Sequence, residues 1–155
     1  MPRVNSENII AAPLEDVWKM AQDVEQMPSF MPDLVLVKIL EDEQTSPVTR
    51  RTVTEWMGRI KQFNRNVHWV EEDIWNEEEK VCHFWQIRGD YTEYRGTWKF
   101  VPQGGSTPDA TRALLEIEYV IDIPLLGALM QKIVKKLMQE NCDTMLSCLK
   151  TQAEK

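Results

Sequence analysis

The chain has 155 residues, of which 43% are apolar and 28% charged, and a formal net charge of −7. These values are typical of one soluble globular domain, which we expect to span residues 1–155. The acidic balance argues against nucleic acid as a partner, because phosphates repel an acidic surface. No stretch is long and apolar enough to predict a transmembrane segment.

The three cysteines have no paired spacing, which predicts reduced thiols and a cytoplasmic location. The first residues also lack the apolar core of a secretory signal. There is no CxxC or HExxH motif, and the chain has only two histidines. The sequence therefore predicts no metal site, and without a phosphate-binding glycine motif it predicts no cofactor.

The first elements alternate between strand and short helix. Residues 3–11 carry the β-prone side chains of a strand, and Pro13 is typical of the start of a helix over 13–23. Pro28 then limits the next segment to a short second helix or a single broken turn. Residues 33–42 alternate as in another strand.

Five further strands are predicted in the middle of the chain. They cover 49–57, 59–74, 81–88, 97–101 and 114–121, and the first two of them meet near Gly58. The connections are short, whereas parallel neighbours need long crossovers. The strands are therefore expected to form one antiparallel sheet.

The last thirty residues predict one long amphipathic helix that starts at Pro124. Its apolar stripe consists of Leu126, Leu129, Met130, Ile133, Leu137, Met145 and Leu149. A helix of about 25 residues is ~38 Å long and needs a large concave partner, which a curved sheet can provide. The predicted fold class is therefore α+β, with a sheet wrapped round the helix and a cavity between them.

Three strings carry a resemblance to a known family: IIAAPLEDVWKMAQDVEQMPSFMP, QIRGDYTEYRGTWKF and IDIPLLGALMQKIVKKLMQENCDTMLSCLK. They resemble the START-like, helix-grip (SRPBCC) superfamily, and within it the polyketide cyclase/dehydrase and coenzyme Q-binding branch. The resemblance implies a seven-stranded antiparallel sheet that grips the last helix, with two short helices after strand 1. It also implies an interior cavity for lipids, quinones, polyketide chains or hormones.

The aromatic side chains exceed what a small sheet–helix core needs, so we expect some of them to line a cavity of a few hundred Å³. Strand parity and the helix stripe predict the ligand-binding residues Trp69, Phe84, Gln86, Trp98, Tyr119, Met130, Ile133, Leu137 and Asn141. For each of these residues taken alone, ordinary core packing is the alternative.

Two carboxylates, Glu71 and Asp73, share strand parity with Trp69 and are the predicted catalytic groups. Against an apolar wall, a carboxylic acid keeps its proton and can transfer it. The alternative is that the strand has already left the core here. The resemblance implies that aromatase/cyclases have an inward arginine at this position. Here the position holds Asp73, so the sequence departs from that pattern. His83 is the other acid–base candidate, and the side of the sheet that it faces stays open.

The function predicted first is the binding of an apolar or aromatic small molecule, lipid-, quinone- or polyketide-like. The alternative is a polyketide cyclase/aromatase-type enzyme that catalyses aldol cyclisation and dehydration. A third class is a protein-partner role that uses the acidic surface. A homodimer and catalytic turnover are both left open by the sequence.

Overall fold

The computed structural model describes residues 1–103, 109–122 and 127–155. The seven strands are β1 (Arg3–Ile10), β2 (Leu34–Gln44), β3 (Thr49–Ile60), β4 (Arg65–Asn76), β5 (Val81–Gly89), β6 (Glu93–Pro102) and β7 (Thr111–Val120). The two α-helices are α1 (Leu14–Gln22) and α2 (Ala128–Ala153), and short 3-10 helices cover Val24–Ser29 and Lys61–Phe63.

The strands form one antiparallel sheet in the order β1-β7-β6-β5-β4-β3-β2. Every strand from β2 to β7 lies beside its neighbour in sequence, as short connections require. β1 closes the arrangement by pairing with β7, with Val4 opposite Ile117. The α+β helix-grip fold with two short helices after the first strand is confirmed.

The long helix α2 packs against the sheet through a stripe that matches the predicted one only in part, at Leu137 and Leu149. Its buried residues are Val134, Leu137, Met138, Cys142, Leu146 and Leu149. Leu129 and Ile133, which were expected on this stripe, are exposed. The start of the helix is apolar on more than half of its circumference, so the sequence pattern alone did not fix the buried face. The predicted start at Pro124, and Leu126 with it, lie outside the described residues.

Two boundaries in the sheet also differ from prediction. Gly58 lies inside β3, opposite Val67, and the chain turns later, through the 3-10 helix and Asn64. Asn64 has a φ of 46°, a left-handed conformation that asparagine tolerates better than most residues. β6 begins at Glu93 and not at the predicted residue 97, so residues 93–96 also belong to the sheet. No helix in the described ranges is long and apolar enough to span a bilayer.

Candidate functional site

A cavity of about 90 Å³ lies between the inner face of the sheet and α2. Its sheet side is aromatic and is formed by Trp56, Trp69, Phe84, Tyr91, Tyr94 and Trp98. The helix side is formed by Met138, Asn141, Cys142, Thr144 and Met145. Pro32 and Arg59 also line it and are exposed, so the cavity opens to solvent at that end.

The cavity contains Trp98 and residues of the last helix, as predicted, but its predicted volume of a few hundred Å³ is wrong. Small-molecule sites usually measure roughly 300–1,000 Å³. The aromatic rings account for the difference, because they pack against one another instead of standing apart. Tyr91 and Tyr94 stack with centroids 4.6 Å apart, and Trp69 lies 5.4 Å from Tyr94.

Glu71 and Asp73 are both inside the protein, with only 5% and 3% of their surfaces exposed. On β4, alternate residues from Val67 to Trp75 are buried, so the two carboxyl groups point the same way as Trp69. The strand continues to Asn76 before it turns. The alternative that the strand has left the core at this point is therefore wrong.

A network of hydrogen bonds surrounds the two carboxyl groups. Asp73 accepts hydrogen bonds from the hydroxyls of Thr52 and Thr54, at 2.9 and 2.8 Å. Glu71 accepts one from the indole nitrogen of Trp69 at 3.2 Å. These donors come from β3 and β4, where Thr52 lies opposite Asp73 and Thr54 opposite Glu71. The register of the two strands therefore assembles the network.

The two carboxyl groups differ in how strongly each one binds a proton. Burial raises the pKa of Glu71 well above its usual range, and the nearby Asp73 raises it further. Burial also raises the pKa of Asp73, to about 6, although its hydrogen bonds with Glu71 and the threonines oppose that rise. Since the pKa of Glu71 is raised the more strongly, the pair favours the proton on Glu71 and the negative charge on Asp73.

Only one member of this acid pair reaches the cavity. Glu71 lines it, whereas Asp73 lies behind and contacts the threonines. The pair can therefore present a proton at the cavity wall and hold the charge away from the cavity. That is the arrangement a general acid needs, and it also suits a hydrogen-bond donor to a ligand oxygen.

Among the nine predicted ligand-binding residues, the structure brings four to the cavity: Trp69, Phe84, Trp98 and Asn141. Gln86 lies outside, where its amide donates to the carbonyl of Tyr91 and accepts from the Tyr91 N–H. Gln86 therefore holds the loop before β6. It keeps the predicted parity and lies opposite Glu71, and the register shift between β4 and β5 comes only after it, at Ile87.

The other four predicted residues do not line the cavity. Tyr119 and Leu137 are buried in the core beside it, and burial raises the pKa of Tyr119 to about 12. The Tyr119 hydroxyl has no hydrogen-bond partner among the described residues. Met130 lines a separate groove, and Ile133 is 38% exposed. Met130 and Ile133 were misplaced for the same reason: α2 buries a different face from the predicted one.

His83 is exposed on the outer face of the sheet, which answers the question left open by the sequence.

Sequence reasoning missed Tyr91, Tyr94 and the two threonines. Tyr94 shares parity with Trp98 once β6 is extended to Glu93, so a longer strand would have found it. Thr52 and Thr54 share parity with Trp56, which was the available signal on β3.

Comparison with known proteins agrees with this geometry. The family model described as polyketide cyclase / dehydrase and lipid transport matches residues 10–146. A crystal structure of a Thermus thermophilus protein is 32% identical with a TM-score of 0.87, over 98% of this chain and 97% of that one. No functionally curated protein gives a significant sequence match.

Two more distant structures share the fold. An aromatase/cyclase named Zhui from a Streptomyces species is 17% identical, with a TM-score of 0.84 over 98% of this chain and 93% of that one. A START superfamily protein from Mycobacterium smegmatis is 20% identical, with a TM-score of 0.79 over 99% and 98%. At these identities the likeness supports the fold alone.

Proposed function

We propose a function for the chain as a member of the polyketide cyclase / dehydrase and lipid transport family, to which it belongs. Its central cavity binds an apolar or aromatic small molecule that is lipid-, quinone- or polyketide-like. The observation that carries this proposal is Glu71, a buried carboxyl group with a raised pKa in the aromatic wall of a cavity that opens to solvent. The cytoplasmic location stays a prediction from the sequence, which leaves a homodimer open.

The aromatic wall supplies affinity and Glu71 supplies orientation. Desolvation of flat ligand surface against rings such as Trp69 and Trp98 is favourable. A ligand carbonyl that reaches the wall competes with Asp73 for the proton of Glu71, because a protonated carboxyl has one O–H to donate. Asp73 keeps its two threonine donors when it loses that contact. The polar part of the ligand is therefore expected at Glu71.

Binding must enlarge the cavity, and the mouth is the place where it can open. The strand end at Arg59 is held to the segment before β2 by a hydrogen bond from the Arg59 N–H to the Asp33 carbonyl, at 2.8 Å. Asp33 and Arg59 both line the cavity. We expect this contact to break first when a ligand larger than the present void enters.

A pair of probes tests the proposal. 2-Acetonaphthone and 2-ethylnaphthalene have similar shapes, but only the ketone accepts a hydrogen bond. Titrations that follow tryptophan fluorescence should show tighter binding of the ketone to the unchanged protein. Glu71→Leu should remove that preference, and Trp98→Ala should weaken both probes. Glu140→Gln, at an exposed position on α2, is the control. If neither probe binds, or Trp98→Ala binds both as before, the cavity is not the site.

The acid pair favours a second candidate, a cyclase/dehydrase activity. In the dehydration of a β-hydroxy ketone, a carboxylate removes the α-proton while an acid protonates the leaving hydroxyl, which departs as water. Because only Glu71 of the pair lines the cavity, this one group would serve both steps. With the shared proton held on Asp73, the Glu71 carboxylate would take the α-proton and then donate it to the departing hydroxyl as the C–O bond breaks and the C=C bond forms.

Product formation from a poly-β-ketone distinguishes catalysis from binding alone. Glu71→Gln and Asp73→Asn should abolish product, and His83→Ala should leave it unchanged because His83 is exposed. Loss of product in the histidine variant alone would overturn this assignment. An unmodified protein that binds the ketone probe but forms no product would leave the binding function standing.

A further inference from the structure

Three large apolar side chains are exposed at one end of the molecule. Phe63, which ends the 3-10 helix between β3 and β4, is 37% exposed, and Leu129 and Ile133 on the first turns of α2 are 72% and 38% exposed. Lysines and arginines lie close to them along the chain, and together these residues form what we call the basic tip: Phe63, Leu129, Ile133, Arg59, Lys61, Arg65, Lys132, Lys135 and Lys136.

A groove joins the two segments of the basic tip. It has a volume of about 220 Å³, and its lining includes Phe63 and Arg65 from one segment and Met130 from the other. Ile60 and Val67 line both this groove and the central cavity. The basic tip is therefore one surface, and it lies next to the proposed ligand site.

The charge of the basic tip is opposite to that of the chain as a whole. Residues 59–65 and 128–139 contain six of the 18 lysines and arginines and no carboxylate, although the chain has a net charge of −7. Lys61 is paired with Asp33 at 3.3 Å. Within the described part of the chain, no ion pair involves Arg65 or the three lysines that α2 contributes to the basic tip. Asp90 and Asp122 in the groove offset part of the excess.

The apolar and basic side chains alternate on one face of α2. Leu129, Ile133 and Lys136 follow one another at spacings of four and three residues, and Lys132 lies beside them. The buried stripe of the helix lies on another face. An exposed apolar group flanked by lysines is the pattern of helices that lie in a bilayer interface, with the lysines at the phosphates.

We propose that the basic tip docks onto an anionic phospholipid bilayer. Phe63, Leu129 and Ile133 enter the boundary between headgroups and acyl chains, and the lysines and arginines contact the lipid phosphates. Nucleic acid would satisfy the cations but not the protruding aliphatic side chains, so the combination favours lipid. Docking places the groove against the bilayer, and an apolar ligand could then pass to the central cavity without crossing water.

Vesicle flotation tests the docking. The full chain should float with phosphatidylcholine vesicles that contain about 30% phosphatidylglycerol and stay behind with pure phosphatidylcholine, because binding requires anionic headgroups. Salt at about 0.5 M should release it. Lys132→Glu/Lys136→Glu should lower the partition coefficient at least tenfold, since each lysine near such a surface contributes roughly fivefold. Phe63→Ser/Leu129→Ser should also lower the partition coefficient, although it leaves the charge of the protein unchanged.

Matched controls identify the surface. Lys38→Glu/Lys99→Glu makes the same charge change at exposed strand positions elsewhere and should reduce binding far less. Thermal unfolding checks that every variant is folded. An unmodified chain that does not float with anionic vesicles overturns the proposal, as does equal loss in both charge-reversed pairs. Duplex DNA that binds as tightly as the vesicles and fails with the same lysine variants would mean a nucleic-acid surface instead.

Failure of this proposal can be told apart from failure of the proposed ligand site. Glu71→Leu alters the central cavity and leaves the basic tip intact, so it should float like the unmodified chain. Lys132→Glu/Lys136→Glu should in turn bind 2-acetonaphthone in solution with unchanged affinity. A chain that binds vesicles but no probe would keep the docking surface and lose the cavity as a ligand site.

Discussion

Trp56 and Trp69 lie opposite each other on β3 and β4 and stack with their ring planes 5° apart and their centroids 6.0 Å apart. Their indole N–H groups serve different arms of one network. Trp56 donates to the Thr54 hydroxyl at 2.7 Å, which itself donates to Asp73, and Trp69 donates to Glu71. The aromatic wall and the acid pair are therefore one structural unit, so changes in either should be felt in both.

Protein stability should fall as the pH rises through the range in which the acid pair loses protons. The pKa of Asp73 is raised from 3.8 to about 6, and that of Glu71 is also raised. Between the unfolded and folded values, the folded state binds more protons, so stability is greatest below the unfolded pKa and declines above it. For Asp73 the decline is about 3 kcal/mol, complete above about pH 7. Chemical denaturation at a series of pH values between roughly 3 and 9 measures this decline in stability.

Glu71→Gln should flatten this pH dependence. The amide has the shape of the protonated acid, can donate to Asp73 and accept from Trp69, and has no proton to lose. We expect the variant to be more stable than the unmodified chain at about pH 8, because the raised pKa of Glu71 makes the buried acid unfavourable at that pH whereas the amide does not titrate. Glu140→Gln at its exposed position should leave the curve unchanged. A Glu71→Gln variant that is less stable at that pH and keeps the original slope would mean that Glu71 is ionised.

Thr54→Val should destabilise the protein because it removes one hydroxyl from the centre of the network. The change keeps the shape of the side chain but removes one of the two threonine donors to Asp73 and leaves the Trp56 N–H without an acceptor. Unsatisfied buried groups cost about 1–3 kcal/mol each. Urea denaturation at neutral pH measures the loss. Thr92→Val, at an exposed position, should change stability by no more than about 0.5 kcal/mol.

The sequence predicted the orientation of the acid pair but not its surroundings. Alternation along β4 placed Glu71 and Asp73 on the side of Trp69, and both face inward as predicted. The extent of their burial was not predictable. Alternation shows which side of the sheet a residue faces, but it does not show where along the strand the core ends. The partners Thr52 and Thr54 depended on the register of β3 against β4, and that register needed the turn at Asn64.

The face of α2 was the least predictable part of the site. Apolar residues occupy too much of its first turns, so the stripe through Leu129 and Ile133 and the stripe through Val134 and Met138 fit the helical period equally well. Packing against the sheet selects the second stripe. That selection removed Met130 and Ile133 from the predicted cavity and left Leu129 and Ile133 in solvent.

Leu137→Ala and Leu129→Ala test which face of α2 is buried. Leu137 is 8% exposed and Leu129 is 72% exposed, although both are leucines of one helix. Leu137→Ala should destabilise the protein by about 2–5 kcal/mol through lost burial and a residual void. Leu129→Ala should change stability by less than about 0.5 kcal/mol. Equal effects in urea denaturation would mean that the helix is rotated from the position described.

Gly96→Ala should both destabilise the protein and distort the cavity. A β-carbon at Gly96 would lie 2.2 Å from the carbonyl oxygen of Glu116 and 2.6 Å from the ring of Phe84, which lines the cavity. The first of these is backbone, so the strands must move apart, and Phe84 must shift toward the void. Overpacking of this kind costs about 1–3 kcal/mol or more.

Gly58→Ala is the matched control for that change. Gly58 also lies on a strand and lines the cavity, but a β-carbon there would meet Trp69 at 3.7 Å, an ordinary contact. Since alanine also restricts the unfolded chain, Gly58→Ala should be neutral or stabilising by about 0.4–1 kcal/mol. Thermal unfolding and titration with 2-acetonaphthone measure both variants. If Gly96→Ala keeps full stability and affinity while Gly58→Ala loses them, then β5 and β6 do not approach each other at Phe84 and Gly96 as the structure has them.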